Sequence, residues 1–184
     1  FGTVFPIFSE LITGRVVNVN QPFFNFIAIP IGLLILWLTG IGPLLAYRKT
    51  STQSLRKNFT MPTIAGVLAG PLFFVLARWA MGDNPGMWAL LSVMLCVFVT
   101  ATILQEFHAG AITRMRQHKE LYLQAVLNLT RRNNRRYGGY IVHLGIVLIF
   151  IGITGQAFTR EVRGVVGQGE SFQVGPYSMT MSGF

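Results

Sequence analysis

Acidic residues are nearly missing from this chain: six Asp and Glu stand against 15 Lys and Arg in 184 residues, and all charged residues together make up 11%. A soluble domain carries about 25% charge. With 52% hydrophobic residues and a mean hydropathy of +0.52, this deficit excludes an ordinary water-soluble fold and indicates an integral membrane protein. Cysteine is scarcer still. Cys96 stands alone, which excludes a disulfide framework, a thiol-exchange CxxC pair and a CxxCH covalent haem attachment. It lies in mid-run among apolar residues and reads as a small buried packing residue. The net charge of +9 does not signal nucleic acid, because the basic residues are confined to two segments between hydrophobic runs and no basic groove studded with aromatics occurs. That pattern is topological.

Four segments are long and apolar enough to cross a bilayer core, near 26–47, 62–80, 87–107 and 137–158. The intervening stretches set orientation. Residues 48–61 hold Arg48, Lys49, Arg56 and Lys57 with no acid. Residues 108–136 hold Arg114, Arg116, Lys119, Arg131, Arg132, Arg135 and Arg136 against Glu120 alone. Both read as cytoplasmic loops by the positive-inside rule. The alternate connections carry little positive excess: Arg15, the Gly82 to Gly86 turn with Asp83, and a tail where Arg160 and Arg163 are balanced by Glu161 and Glu170. The opening stretch Phe1 to Ile12 is apolar but too short to span and reads as the end of a fifth helix, so the chain is expected to be part of a larger membrane protein. The expected fold is an all-α polytopic membrane bundle over residues 1–158, four full transmembrane helices plus that fifth end. Residues 159–184 then open a small extracytoplasmic β domain, with short strands around Gly175-Pro176 in which Phe172 and Val174 share one face, as do Tyr177, Met179 and Met181.

Packing signals are those of a bundle: Gly66 and Gly70 form a small-xxx-small pair, and Gly138, Gly145 and Gly152 recur every seven residues along the last span. The stretch from Ala109 to Thr130 keeps helical periodicity through Ile112, Met115, Tyr122, Val126 and Leu129, and either lies in the membrane interface or extends the preceding helix. The most informative residue is His143, inside the apolar run Tyr137 to Phe158 and just after Arg131, Arg132, Arg135 and Arg136. Ionisable groups at that depth serve as ligands, proton paths or partners across the bundle. Low-dielectric surroundings disfavour a charged ring, so His143 is read as a neutral imidazole with a nitrogen available to a metal, haem iron being the natural candidate. Gly139, Ile146 and Phe150 share its face at i−4, i+3 and i+7, a flat apolar wall with a gap suited to a porphyrin; the other reading is that Gly139 only permits tight helix packing. His143 is expected to point away from the Gly138/Gly145/Gly152 seam. His118 reads as a solvated surface residue and His108 as ambiguous at a helix end. Arg78 and Glu106 are expected to reach the interface from helix ends. Met179 and Met181 read as packing residues.

Several of these segments together resemble the CcmF/NrfE family, the membrane subunit of cytochrome c haem lyase. The resemblance is carried by Gly2-Thr3-Val4-Phe5-Pro6, Pro22-Phe23-Phe24-Asn25, Gly40-Ile41-Gly42-Pro43 and above all Arg136-Tyr137-Gly138-Gly139-Tyr140-Ile141-Val142-His143-Leu144-Gly145, with the tail Phe158-Thr159-Arg160-Glu161 also similar. It implies the C-terminal part of a multi-pass protein of the bacterial cytoplasmic (inner) membrane, its tail on the periplasmic side. It also implies a b-type haem held by two transmembrane histidines, of which His143 matches the second. Family members are thought to take haem from a carrier protein and present it, with a reductase subunit, to apocytochrome c, quinol being a candidate electron donor. Arg135 and Arg136 then become candidate contacts for haem propionates, against the plainer reading that they only set orientation.

The sequence departs from the family in what it lacks. Trp37, Trp79 and Trp88 are isolated, no tryptophan-rich haem-handling run occurs, and no segment assigned to the outer face contains histidine. His143 therefore needs its second ligand from the remainder of the haem lyase, and the fragment alone is not catalytic. Two competing readings are a quinol-oxidising cytochrome b-type electron-transfer subunit and a transporter or structural subunit in which His143 bonds a neighbouring helix.

Overall fold

In a computed structural model, residues 4–14, 21–45, 52–82, 84–159, 171–174 and 177–180 are described. They form α1 (Phe5–Thr13), α2 (Gln21–Leu45), α3 (Thr52–Met81), α4 (Met87–His118), α5 (Tyr122–Arg132) and α6 (Asn134–Gly155), a 3-10 turn Gln156–Phe158, and strands β1 (Ser171–Val174) and β2 (Tyr177–Thr180). Four of the helices, α2, α3, α4 and α6, contain runs long and apolar enough to cross a membrane, and the chain is a multi-pass membrane protein.

The helices outrun the hydrophobic segments that announce them. Residues 52–61, expected in a loop, are the first turns of α3, and most of 108–136 is helical in α4, α5 and α6. Hydropathy marks the depth of hydrocarbon, whereas Lys, Arg and Gln remain good helix formers once the chain enters water. α4, with 32 residues, is about 48 Å long against a hydrocarbon core of about 30 Å. It ends where Lys119 turns left-handed at φ 55°, its N–H donating to the Met115 carbonyl at 2.9 Å.

α4 is the hub, packing against α2, α3, α5 and α6. Glycines in its neighbours let it approach. A Cβ at Gly40 of α2 would lie 2.6 Å from the Phe98 ring and 2.9 Å from Val99, and one at Gly66 of α3 would lie 2.8 Å from the Met94 carbonyl oxygen. A Cβ at Gly70 would lie 2.8 Å from the Met94 sulfur, so both members of the small-xxx-small pair of α3 face α4. Without a hydrophobic drive between helices in lipid, such backbone proximity and its dispersion gain hold a bundle together. Leu36, Val99 and Ile103 are fully buried where these helices meet, joined by Cys96, Tyr137, Tyr140 and Val147. The Thr100 and Thr102 hydroxyls donate to carbonyls four residues back, so neither leaves a bare polar group in lipid.

β1 and β2 pair antiparallel, with Ser171 opposite Thr180, Phe172 opposite Met179, Gln173 opposite Ser178 and Val174 opposite Tyr177. Tyr177 and Met179 alternate onto one face and are exposed. The Gly175-Pro176 turn and Met181 lie outside the described residues.

Candidate functional site

α6 is held to α4 by one face. Arg136 bonds Glu106, Tyr137 and Tyr140 pack on Phe107, the Cys96 thiol approaches the Val147 carbonyl at 3.9 Å, and Thr154 donates to Ser92 at 2.6 Å. These pairs run in opposite order along the two helices, which are therefore antiparallel. At about 100° per residue, Arg136, Tyr140, Val147 and Thr154 all lie within about 60° of His143, which thus stands on the α4-facing side. The glycine seam faces the other way: a Cβ at Gly145 or Gly152 would meet nothing within 4 Å. The expected geometry is corrected in one respect. His143 does point away from the seam, but the close helix contact is made on the histidine side and not by the glycines. A tyrosine, a β-branched residue and hydrogen-bonding side chains on that face supply contacts that bare glycines lack.

His143 itself is half-buried, and its Nδ1 is buried with no hydrogen-bond partner among the described residues. Leaving such an atom unsatisfied costs about 1–3 kcal/mol, so a ring in this position has an unused lone pair or an unused N–H. Next to it, Gly139 is open, with nothing within 4 Å of a would-be Cβ; among the described residues it does not serve close packing. Ile146 is half-buried. Phe150 is taken up by α2, its Cζ lying 3.4 Å from a would-be Cβ on Gly32. No group of three or more His, Cys, Asp and Glu is gathered for a metal among the described residues. The other two histidines sit elsewhere, His118 exposed and His108 exposed with Nδ1 3.4 Å from the Tyr122 hydroxyl. Of the three imidazoles, only that of His143 has a buried ring nitrogen without a hydrogen-bond partner among the described residues.

Two turns before His143, at the end of the bundle rich in basic residues, α2, α3, α4, α5 and α6 enclose a polar pocket of about 510 Å³, lined by Asn58, Glu106, Thr113, Arg114, Gln117, Asn133, Arg136 and Tyr137 among others. Its floor is an ordered cluster. Arg136 donates from Nη2 to Glu106 and from Nε to the Tyr140 hydroxyl at 3.0 Å, and its guanidinium lies 5.6 and 5.8 Å from the Tyr137 and Tyr140 ring centres. Gly110 gives it room, because a Cβ there would crowd the Tyr137 hydroxyl and would lie 2.7 Å from the end of the Leu129 side chain. At the rim, Arg114 donates to both oxygens of Glu120 at 2.8 and 3.0 Å, and these hydrogen bonds hold the Glu120 carboxyl below the usual carboxylate range.

Arg135 and Arg136, expected as a pair, part company: Arg135 is exposed while Arg136 turns inward to Glu106. Glu106, expected to reach the interface, anchors that arginine, its side chain 16% exposed. Sequence reasoning missed this pair because its members are 30 residues apart. The available signal was that Glu106 is a single acid bordering an apolar span, and that Arg136 and Tyr140 are spaced four apart on one helix face.

No family model matches the chain, and no solved structure matches it closely. Curated relatives do. The chain is 27% identical over 185 residues to the cytochrome c-type biogenesis protein CcmF of Haemophilus influenzae, covering 99% of this chain and 26% of that protein. It is 28% identical over 193 residues to the cytochrome c-type biogenesis protein CycK of Rhizobium meliloti, covering 99% and 26%. Against CycK of Bradyrhizobium diazoefficiens it is 27% identical over 157 residues, covering 83% and 22%. The chain spans about a quarter of the length of these relatives.

Proposed function

The chain belongs to the family of cytochrome c-type biogenesis proteins that includes CcmF and CycK, and from that premise we propose that it supplies one axial ligand, His143, to a b-type haem held in the membrane by a cytochrome c haem lyase. The observation that carries this reading is the buried, unpartnered Nδ1 of His143, in the apolar span of α6. When one ring nitrogen binds iron, the other carries the proton and is oriented by a further acceptor; a ring with an unused nitrogen fits a group that reaches it from outside the described residues. The open position at Gly139 fits a flat ligand laid against α6, with Ile146 giving it an apolar edge. The second ligand belongs to the remainder of the lyase.

Bound there, haem supplies reversible one-electron chemistry. The residues of this chain do the rest: α4 and α6 exclude water from the imidazole, and the pairing with Glu106 fixes Arg136 two turns, about 10 Å, along the helix toward the basic end. Because Glu106 already neutralises Arg136, a propionate contact there needs an exchange of partners, whereas Arg135 is exposed and offers its charge directly. The basic end is cytoplasmic under the positive-inside rule, which puts the β hairpin on the periplasmic side. Haem carrier, reductase subunit, apocytochrome c and quinol are the partners this reading implies.

The test is His143→Ala in the complete membrane protein, purified and examined by its reduced-minus-oxidised spectrum. Loss of the b-type haem signal with normal membrane insertion is expected. An unchanged signal removes His143 as a ligand.

A further inference from the structure

α5 departs from what a water-facing surface helix should look like. Such a helix buries one apolar stripe and turns a polar face outward. α5 buries Ala125 and half-buries Leu129 against the bundle, yet Leu123 and Leu127, one turn apart on the opposite side, are 74% and 64% exposed. Its apolar arc is wider than the bundle covers, and Gln124, Asn128, Arg131 and Arg132 make up the remaining polar side.

Its position relative to α4 says what the outer face meets. Tyr122, at the start of α5, sits against His108 with ring centres 6.0 Å apart, and Leu129, seven residues on, sits over Gly110. Along α5 those two points are about 10 Å apart, but along α4 they differ by only about 3 Å, so α5 lies nearly across the bundle axis. His108 and Gly110 are also about 32–35 Å from Met87 along α4, just past a hydrocarbon core of about 30 Å. A helix lying crosswise at that depth is in the headgroup layer. The charges around it have one sign: Arg116, Lys119, Arg131, Arg132 and Arg135 are all exposed, while the neighbouring acid, Glu120, is engaged by Arg114.

We infer that α5 is an interfacial helix lying along the headgroup–acyl boundary of an anionic phospholipid leaflet, with Leu123 and Leu127 inserted among the acyl chains and the flanking arginines on lipid phosphates. It fastens the end of the bundle that carries the Glu106–Arg136 pocket to the membrane surface, independently of any haem.

The complete protein, reconstituted in nanodiscs of phosphatidylethanolamine with phosphatidylglycerol, tests this with nitroxide labels on Leu123→Cys and Leu127→Cys, other reactive cysteines being replaced. Relaxation by oxygen should exceed that by a nickel chelate at both positions, with Arg116→Cys showing the reverse. Relaxation dominated by the nickel chelate means a water-facing helix and overturns the inference. Exclusion of both reagents means that another protein segment covers the leucines, and overturns it equally. A second arm measures lipid retained through purification: Arg131→Gln with Arg132→Gln should lower the ratio of phosphatidylglycerol to phosphatidylethanolamine, and an unchanged ratio removes the anionic partner.

Discussion

α4 and α6 are equally at home in lipid and unequally at home in the protein. Their most apolar windows have mean hydropathies of 2.3 and 2.1, but 39% of that window is buried in α4 and 6% in α6. Lipid does not distinguish the two helices; partners do. α4 is surrounded by glycine-bearing neighbours and buries Ser92, Cys96, Val99 and Ile103. α6 touches α4 through a single line of specific contacts and leaves Ile141, Val142, Leu148 and Ile149 outward. The helix with the candidate ligand is thus the one whose surface is least committed. Further helices can be added to the outward face of α6 without dismantling the hub.

The sharpest way to break this contrast is to add one methyl group to each side of it. Gly66→Ala places a Cβ 2.8 Å from the Met94 backbone oxygen and 3.1 Å from the Phe98 Cβ, where neither neighbour yields easily, and should destabilise the bundle by about 1–3 kcal/mol. Gly145→Ala meets nothing within 4 Å and should be neutral or stabilise by up to about 1 kcal/mol, since alanine is the better helix former. Thermal unfolding of the complete protein in detergent ranks the two. If Gly145→Ala proves the more damaging, the outward face of α6 is a tight helix interface in the assembled protein and the asymmetry between α4 and α6 disappears.

A smaller effect is expected where the two helices meet. The Glu106 and Arg136 side chains are 16% and 33% exposed, so their pairing falls between a surface ion pair, about 0–1 kcal/mol, and a buried one, about 3–5 kcal/mol when one partner is removed. Glu106→Gln should cost about 1–2 kcal/mol by this interpolation, and Arg136→Gln should add little to it in the double variant, because the two act as a unit. Additive losses would mean that Arg136 is held by Tyr137 and Tyr140 and not by the carboxylate.

Much of this architecture could be read from the chain. The apolar runs, their basic connections and the single imidazole in the transmembrane runs come directly from residue order, because a 20-residue span and a charge in lipid are local constraints. The periodic stretch Ala109 to Thr130 was legible as helix, though not its break at Lys119, where a positive φ in a non-glycine residue left no signature in composition. Which face of α6 packs was not legible. The repeat Gly138, Gly145, Gly152 marks a side on which no described residue comes within 4 Å of a Cβ at Gly145 or Gly152; spacing alone does not say whether a neighbour is there. The Glu106–Arg136 pair depends on the stagger of two antiparallel helices, which is set by the α5 connection and by side-chain fit along the whole interface, and neither has a short sequence signature. His143 as a ligand rests on resemblance and on an unpartnered nitrogen, and the spectrum of the variant decides it.

The smallest expected effect concerns the turn that gives α5 its position. Glu120 accepts two hydrogen bonds from Arg114 across the α4–α5 connection, and its carboxyl is lowered from its ordinary value, chiefly by those bonds, with burial opposing them. A carboxylate whose folded-state value is depressed adds stability above its unfolded value, and that stability is lost as pH falls through the folded value. The turn should therefore be fully fastened at neutral pH and loosen only below about pH 4. The Arg114 and Glu120 side chains are 12% and 21% exposed, so salt should screen the coupling in part as acid removes it. Hydrogen exchange at the Lys119, Glu120 and Leu121 amides reads this directly: faster exchange on acidification, beyond the intrinsic pH dependence and absent in Glu120→Gln, is expected. A profile identical in the variant would show that the Lys119 backbone turn alone holds α5 against α4.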